Sequence, residues 1–139
     1  MANVKVGSFV INTVTGNQSI TGVGFQPKAV IFWHKREVLD GTDQMYDYCF
    51  GVATSSTARW VVSSEMYDFF DECSHQLNTT KCIQTRRDIT VADFVSMGAD
   101  GFTINVTTAN ATARTIFYMA IGGSDVSVFA GSFNSNTVT

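Results

Sequence analysis

The chain has 139 residues, of which 45% are hydrophobic and 15% charged, and its formal net charge at pH 7 is −3. This length suits a single hydrophobic core, so we predict one domain over residues 1–139. The basic residues are scattered, which argues against nucleic acid as a partner. No run approaches the roughly 18 to 20 apolar residues that span a bilayer, so we expect no membrane partner and synthesis in the cytoplasm.

Short runs of β-branched and aromatic residues alternate with glycines along the chain. Residues 4–14 and 18–23 predict a first hairpin that turns at Gly16. Residues 29–33 are apolar at every position, which predicts a strand covered on both sides. In residues 102–107 apolar and polar side chains alternate, as in a half-buried strand. Further strands are predicted at residues 45–54, 59–64, 80–85, 89–95, 115–121 and 126–133. The pattern predicts an all-β fold, an antiparallel β-sandwich or jelly roll.

Two segments differ from this pattern. Residues 65–77 contain no glycine and carry apolar side chains near helical spacing, which predicts a short helix or an ordered excursion between sheets. Residues 134–139 are polar and are predicted to form a flexible tail. Neither segment resembles an interdomain linker, so both are assigned to the single domain.

Cysteine and histidine are the residue types that zinc prefers. Cys73, His75 and Cys82 could supply three ligands, with Asp71 or Cys49 as a fourth. The spacing matches no zinc-finger pattern, and an odd number of cysteines without a CxxC motif indicates reduced, mostly buried thiols. We therefore predict no metal site and no cofactor.

The only acidic concentration comprises Glu65, Asp68, Asp71 and Glu72. Paired carboxylates could serve glycoside hydrolysis, but a solvated acidic face is the simpler interpretation. The sequence also lacks a GxSxG motif and a phosphate-binding glycine loop. His34 follows an apolar strand and precedes Lys35, so we expect it at a solvated strand end. We predict no enzymatic activity.

Aromatic residues are abundant in this chain, with 11 Phe, 4 Tyr and 2 Trp, and their positions bear on function. Tyr46, Tyr48 and Phe50 occupy alternate positions, which predicts a core-facing stripe. A second aromatic group, within residues 67–70, is harder to bury and could anchor a protein interface. Stacking of a sugar on Trp33 or Trp60 is the competing use of an exposed aromatic ring. The predicted interface residues are Met66, Tyr67, Phe69, Phe70, His34 and Lys35.

Two terminal regions carry a resemblance. The first is Thr21-Gly22-Val23-Gly24-Phe25-Gln26-Pro27 and the strand after it, and the second comprises residues 99–103 and 114–123. Together they resemble a group of phage and prophage virion proteins with a TGxGFQPxxV signature. The resemblance implies a β-sandwich in a virion, either a capsid decoration protein or a tail or fibre adhesion module.

The resemblance and the low charge predict a capsid decoration, or cement, protein on the capsid surface. Its expected partners are the major capsid protein and further copies of itself, with a trimer as the expected homo-oligomer. The main alternative is a lectin-like host-recognition module on a tail or head fibre. A third is a glycan-cleaving virion enzyme that uses the carboxylates of residues 65–72.

Overall fold

The computed structural model describes residues 1–35, 47–67, 72–85 and 89–131. The described residues form strands, turns and loops, without a helix. The strands are β1 (Ala2–Ile11), β2 (Gly16–Ile20), β3 (Pro27–Lys35), β4 (Asp47–Ala53), β5 (Arg59–Tyr67), β6 (Glu72–Asn78), β7 (Ile83–Thr85), β8 (Thr90–Gly98), β9 (Gly101–Thr108) and β10 (Arg114–Gly123). The predicted all-β fold is confirmed.

The strands form two antiparallel sheets that pack face to face. The larger sheet has the order β1-β10-β3-β4-β5-β6, and the smaller has the order β2-β9-β8-β7. Phe102 lies at the centre of the core between them, with its ring centroid 5.2 Å from that of Tyr118 and 5.5 Å from that of Phe32. Both rings meet Phe102 edge to face, an arrangement that aromatic pairs favour. The predicted antiparallel β-sandwich is confirmed.

The predicted first hairpin is wrong. β1 pairs with β10, whereas β2 pairs with β9 in the other sheet, so the chain changes sheets between β1 and β2. The crossing places Ile11 and Ile20, the last residues of the two strands, in the shared core. Gln18 stabilises the connection between β1 and β2. Its side-chain N–H donates to the Val10 carbonyl oxygen at 2.7 Å, and its Oε1 accepts from the Asn12 N–H at 2.8 Å.

The predictions for residues 65–77 and 126–133 are also wrong where the structure describes them. β5 and β6 form an antiparallel hairpin within the larger sheet, with Val62 opposite Leu77 and Glu65 opposite Ser74. Glu65 also lies opposite Asp47 of β4, so long-range pairing overrides the near-helical spacing. Residues 126–131 form no strand. Residues 68–71, residues 132 and 133 and the predicted tail 134–139 lie outside the described residues.

The aromatic stripe of β4 faces away from the core. Cys49 and Gly51 point inward and are buried, whereas Tyr48 and Phe50 alternate with them on the outer face and are half-buried. The prediction of a core stripe is therefore wrong for Tyr48 and Phe50, and Tyr46 lies outside the described residues. The small inward residues allow the sheets to approach closely, because a Cβ on Gly51 would overlap the carbonyl oxygen of Cys82.

The two regions that carry the resemblance meet at one end of the sandwich. The Asp100 carboxylate accepts hydrogen bonds from the backbone N–H groups of Gly24 at 2.6 Å and Gly22 at 3.0 Å. These bonds lower the pKa of Asp100 below its usual value of 3.8. Gly122 packs against the Phe25 ring at the same corner. The signature residues therefore build a turn and its support.

Candidate interaction surface

The outer face of the larger sheet is covered by apolar side chains. Because side chains alternate along a strand, cross-strand partners line up in rows on one face. The first row is Val6, Met119, Ile31, Val52 and Trp60. The second row is Ser8, Phe117, Trp33, Phe50, Val62 and Leu77. We call these two rows the apolar face. No member of either row carries a charge.

Much of the apolar face is accessible to solvent. Val6 is 57% exposed and Leu77 is 67% exposed, at opposite edges of the sheet. Between them Trp33 stacks on Phe117, with 6.1 Å between ring centroids and 14° between ring planes. Trp33 is half-buried although neither described sheet lies over it on this side. Contiguous exposed apolar side chains are unusual on a soluble monomer, so the apolar face is the candidate interaction surface.

The outer face of the smaller sheet has the opposite character. Ser19 lies opposite Thr103, and the two hydroxyl groups are 3.0 Å apart. Asn105 lies between Asn17 and Asp93 in the adjoining row. Such a face is suited to water. The two outer faces of the sandwich therefore differ, and only the polar one is expected of a protein that acts alone.

Residues 29–33 are predicted to be covered on both sides, but in the described structure the smaller sheet covers only their inner side. Val30 and Phe32 are fully buried against the smaller sheet. Ile31 and Trp33 point to the apolar face and are only half-buried. Residues 29–33 thus carry apolar side chains on both faces of the strand, and in the described part of the chain only one of these faces is covered by a second sheet.

A row of polar side chains borders the apolar face. Lys35, Tyr48, Ser64 and His75 are successive cross-strand partners on the same outer face. Tyr48, Ser64 and His75 line a groove of about 550 Å³ together with Val62 and Leu77. A second groove, of about 440 Å³, lies beside Trp60 and is lined by Val62, Leu77 and Ala130.

Two of the predicted interface residues lie on this outer face. Met66 is 55% exposed on β5, and Lys35 is exposed at the end of β3. Phe69, Phe70 and the side chain of Tyr67 lie outside the described residues. The prediction missed the apolar face itself. The sequence does indicate it, because several strands carry apolar residues at both odd and even positions and therefore on both faces of the sheet.

His34 is fully buried, so its predicted position at a solvated strand end is wrong. It points into the core next to the smaller sheet, where its Nδ1 lies 2.9 Å from the Thr115 carbonyl oxygen. Its Nε2 lies 4.0 Å from an Asp47 carboxylate oxygen. His34 therefore belongs to the interior of the domain and cannot contact a partner as the domain stands.

Glu65 is also buried, at 4% exposure, so the interpretation of a solvated acidic face is wrong for this residue. Asp47 is its cross-strand neighbour and is buried as well. Asp68, Asp71 and the side chain of Glu72 lie outside the described residues. Glu65 and Asp47 thus lie side by side in the interior, and Asp47 also approaches His34.

The structure separates the three cysteines. Cys49 and Cys82 are buried, and burial raises the pKa of the Cys49 thiol to about 12 and that of the Cys82 thiol well above its usual value. Cys73 is exposed on β6, where its Sγ lies 3.1 Å from His75 Nε2. The described residues contain no group of three or more His, Cys, Asp or Glu side chains that could hold a metal ion.

Comparison of the chain with protein-family models, with characterised proteins and with solved structures found no match. Among the described residues, none belongs to a helix long and apolar enough to cross a membrane.

Proposed function

We propose that this chain is a structural protein of a bacteriophage virion, a capsid decoration protein that binds the outside of the assembled head. The observation that carries the proposal is the uncharged apolar face, which spans all six strands of the larger sheet. A surface of this kind acts by binding another protein surface, since it presents no residues for chemistry.

The dimensions of the larger sheet's outer face support docking to protein. Five intervals of about 4.8 Å make the sheet about 24 Å wide, and strands of about nine residues extend it to about 30 Å. The whole outer face, which is the apolar face together with the rows that border it, therefore has a footprint of roughly 700 Å², close to the ~800 Å² that one partner contributes to a standard interface. The partner surface that fits is apolar and uncharged, at the junction between neighbouring capsid subunits.

Binding of this kind stabilises the shell by mass action. A protein that binds only the assembled state must dissociate before the subunits beneath it can separate, so it adds to the free energy of disassembly. If the decoration protein also associates with itself on the symmetric shell, each assembly is held by many contacts at once, which strengthens its binding. The individual contacts can therefore be modest.

The experiment compares virions with and without the protein. Particles that lack it are expected to assemble with normal geometry and to release their genome at a lower temperature, as measured by a dye-release thermal melt. Adding the purified protein back should restore the melting temperature in proportion to occupancy. Unchanged thermal resistance in depleted particles would contradict the proposal.

An adhesion module on a tail or head fibre is the second candidate, and the groove beside the polar row favours it. Tyr48 offers a ring for stacking, and Ser64 and His75 offer hydrogen-bonding groups beside it. In the row of Trp33 and Phe117 the single polar side chain is Ser8, opposite Phe117, and this mostly apolar surrounding favours protein over sugar there. Depleted virions that keep full thermal resistance but fail to adsorb to the host would favour adhesion.

A further inference from the structure

Cys73 and His75 form a pair of metal-ligating side chains on the surface. They are two positions apart on β6, so they point to the same side of the sheet, and both are exposed. The Sγ of Cys73 lies 3.1 Å from Nε2 of His75. Two ligands of a tetrahedral zinc ion, at about 2.3 Å for sulfur and about 2.0 Å for nitrogen, lie roughly 3.5 Å apart. The pair is thus close to the separation that zinc requires.

β6 is an edge strand in the described part of the structure. It pairs with β5 on one side, and none of the other described strands pairs with its second side. An edge of this kind presents backbone N–H and C=O groups that a further strand can use. A tetrahedral zinc site needs four ligands, and one chain offers two of them. A second copy of the chain, paired along the same edge, can supply the other two.

We propose that two copies of this chain pair edge to edge through β6 and hold a zinc ion between them. In an antiparallel pairing centred on Ser74, Cys73 of each copy lies opposite His75 of the other. Directly opposed residues have Cβ atoms about 4.5 to 5.5 Å apart on the same face. The pairing therefore gathers two thiols and two imidazoles around one point, which is the Cys₂His₂ set of structural zinc sites.

The charges of this site balance. Each Cys73 binds as a thiolate and releases its proton to solvent, so two thiolates neutralise one divalent zinc ion. Met66 lies opposite Cys73 on β5, and Leu77 lies two residues beyond His75 on β6, so apolar side chains flank the site. The twofold axis of this pairing is perpendicular to the sheet, which brings the two apolar faces to the same side.

The test measures mass as a function of zinc. Purified full-length protein, kept reduced with a phosphine, is examined by analytical ultracentrifugation with chelator and then with one equivalent of Zn²⁺ for every two chains. We expect the mass to double on addition of zinc. Substitution of Co²⁺ should give the visible bands of tetrahedral coordination and the ultraviolet band of cobalt–thiolate bonds.

Variants distinguish the site from other modes of association. Cys73→Ser and His75→Gln should abolish the zinc-dependent doubling, whereas Ser74→Ala, on the same edge but pointing to the other face, should retain it. Circular dichroism of each variant checks that it is folded. Zinc binding without doubling of the mass, doubling that survives in Cys73→Ser, or a mass of three chains would overturn the proposal.

Discussion

Asp100 joins two segments that lie far apart in the sequence. Its carboxylate accepts hydrogen bonds from Gly24 and Gly22, and the Val23 N–H donates to the Asp100 carbonyl oxygen at 3.1 Å. The backbone at Gly22 and Gly24 has positive φ values of 80° and 88°, which glycine adopts without strain. The glycines and the aspartate are thus parts of one corner, and each is needed because of the others.

Replacing Asp100 by Asn should lower stability in a pH-dependent way. Folding lowers the pKa of Asp100 from about 3.8, so the ionised side chain stabilises the fold above that pH, and this stabilisation is lost as the pH falls through the folded-state pKa. Urea unfolding should therefore show Asp100→Asn to be less stable than wild type at pH 7, with the difference shrinking below pH 3.8. A difference that is constant with pH would contradict this assignment.

Buried polar residues were the least predictable feature at the residue scale. His34 and Glu65 were expected near solvent, because polar side chains usually are. Their burial depends on Asp47 and Thr115, which approach them only once β3, β4, β5 and β10 are assembled. Contacts between residues so distant in sequence leave no local pattern, so the sequence alone could not reveal them.

At the scale of strands, local patterns predicted most elements and missed their partners. Alternation located β9, and a continuous apolar run located β3, because burial on one or two sides determines side-chain type along a strand. The partner of β2 was mispredicted, because a short glycine turn fits a hairpin and a sheet crossing equally well. The helix predicted within residues 65–77 failed because period-two and helical spacings overlap in short apolar segments.

Close packing of β4 against the smaller sheet gives a prediction at this scale. A Cβ on Gly51 would overlap the Cys82 carbonyl oxygen and lie 2.9 Å from its carbonyl carbon, and backbone atoms cannot move aside easily. Gly51→Ala should therefore lower the free energy of unfolding by about 1–3 kcal/mol or more. Chemical denaturation measures the change.

Gly98→Ala serves as the control for Gly51→Ala. The nearest atom to a Cβ on Gly98 is the Gly101 carbonyl oxygen at 3.7 Å, which is ordinary contact. We expect this variant to keep wild-type stability to within about 0.5 kcal/mol, as is usual for surface substitutions. Equal destabilisation by both substitutions would show that the spacing between the sheets is not the cause.

For the whole molecule, the difference between the two outer faces is the central observation. A sandwich needs apolar residues on its two inner faces, and the core around Phe102 meets that need. The apolar face is additional to it, and no strand among residues 1–35, 47–67, 72–85 and 89–131 lies over the stacked pair of Trp33 and Phe117 there. The sequence predicted the sandwich and an assembly role, but it placed the interface mainly at residues 66–70, because which strand face turns outward depends on the topology of the sheets.

Cosedimentation with shells that lack the protein tests the central claim most directly. Val6→Asp and Leu77→Asp place a charge on the apolar face, whereas Val14→Asp places the same charge at a comparably exposed valine away from it. A charge buried at an interface without a partner costs at least about 2 kcal/mol, or roughly 30-fold in affinity. We predict that the first two variants fold normally and bind the shells at least about 30-fold more weakly, while Val14→Asp binds like wild type. Equal binding by all three variants would contradict the assignment of the apolar face as the docking surface.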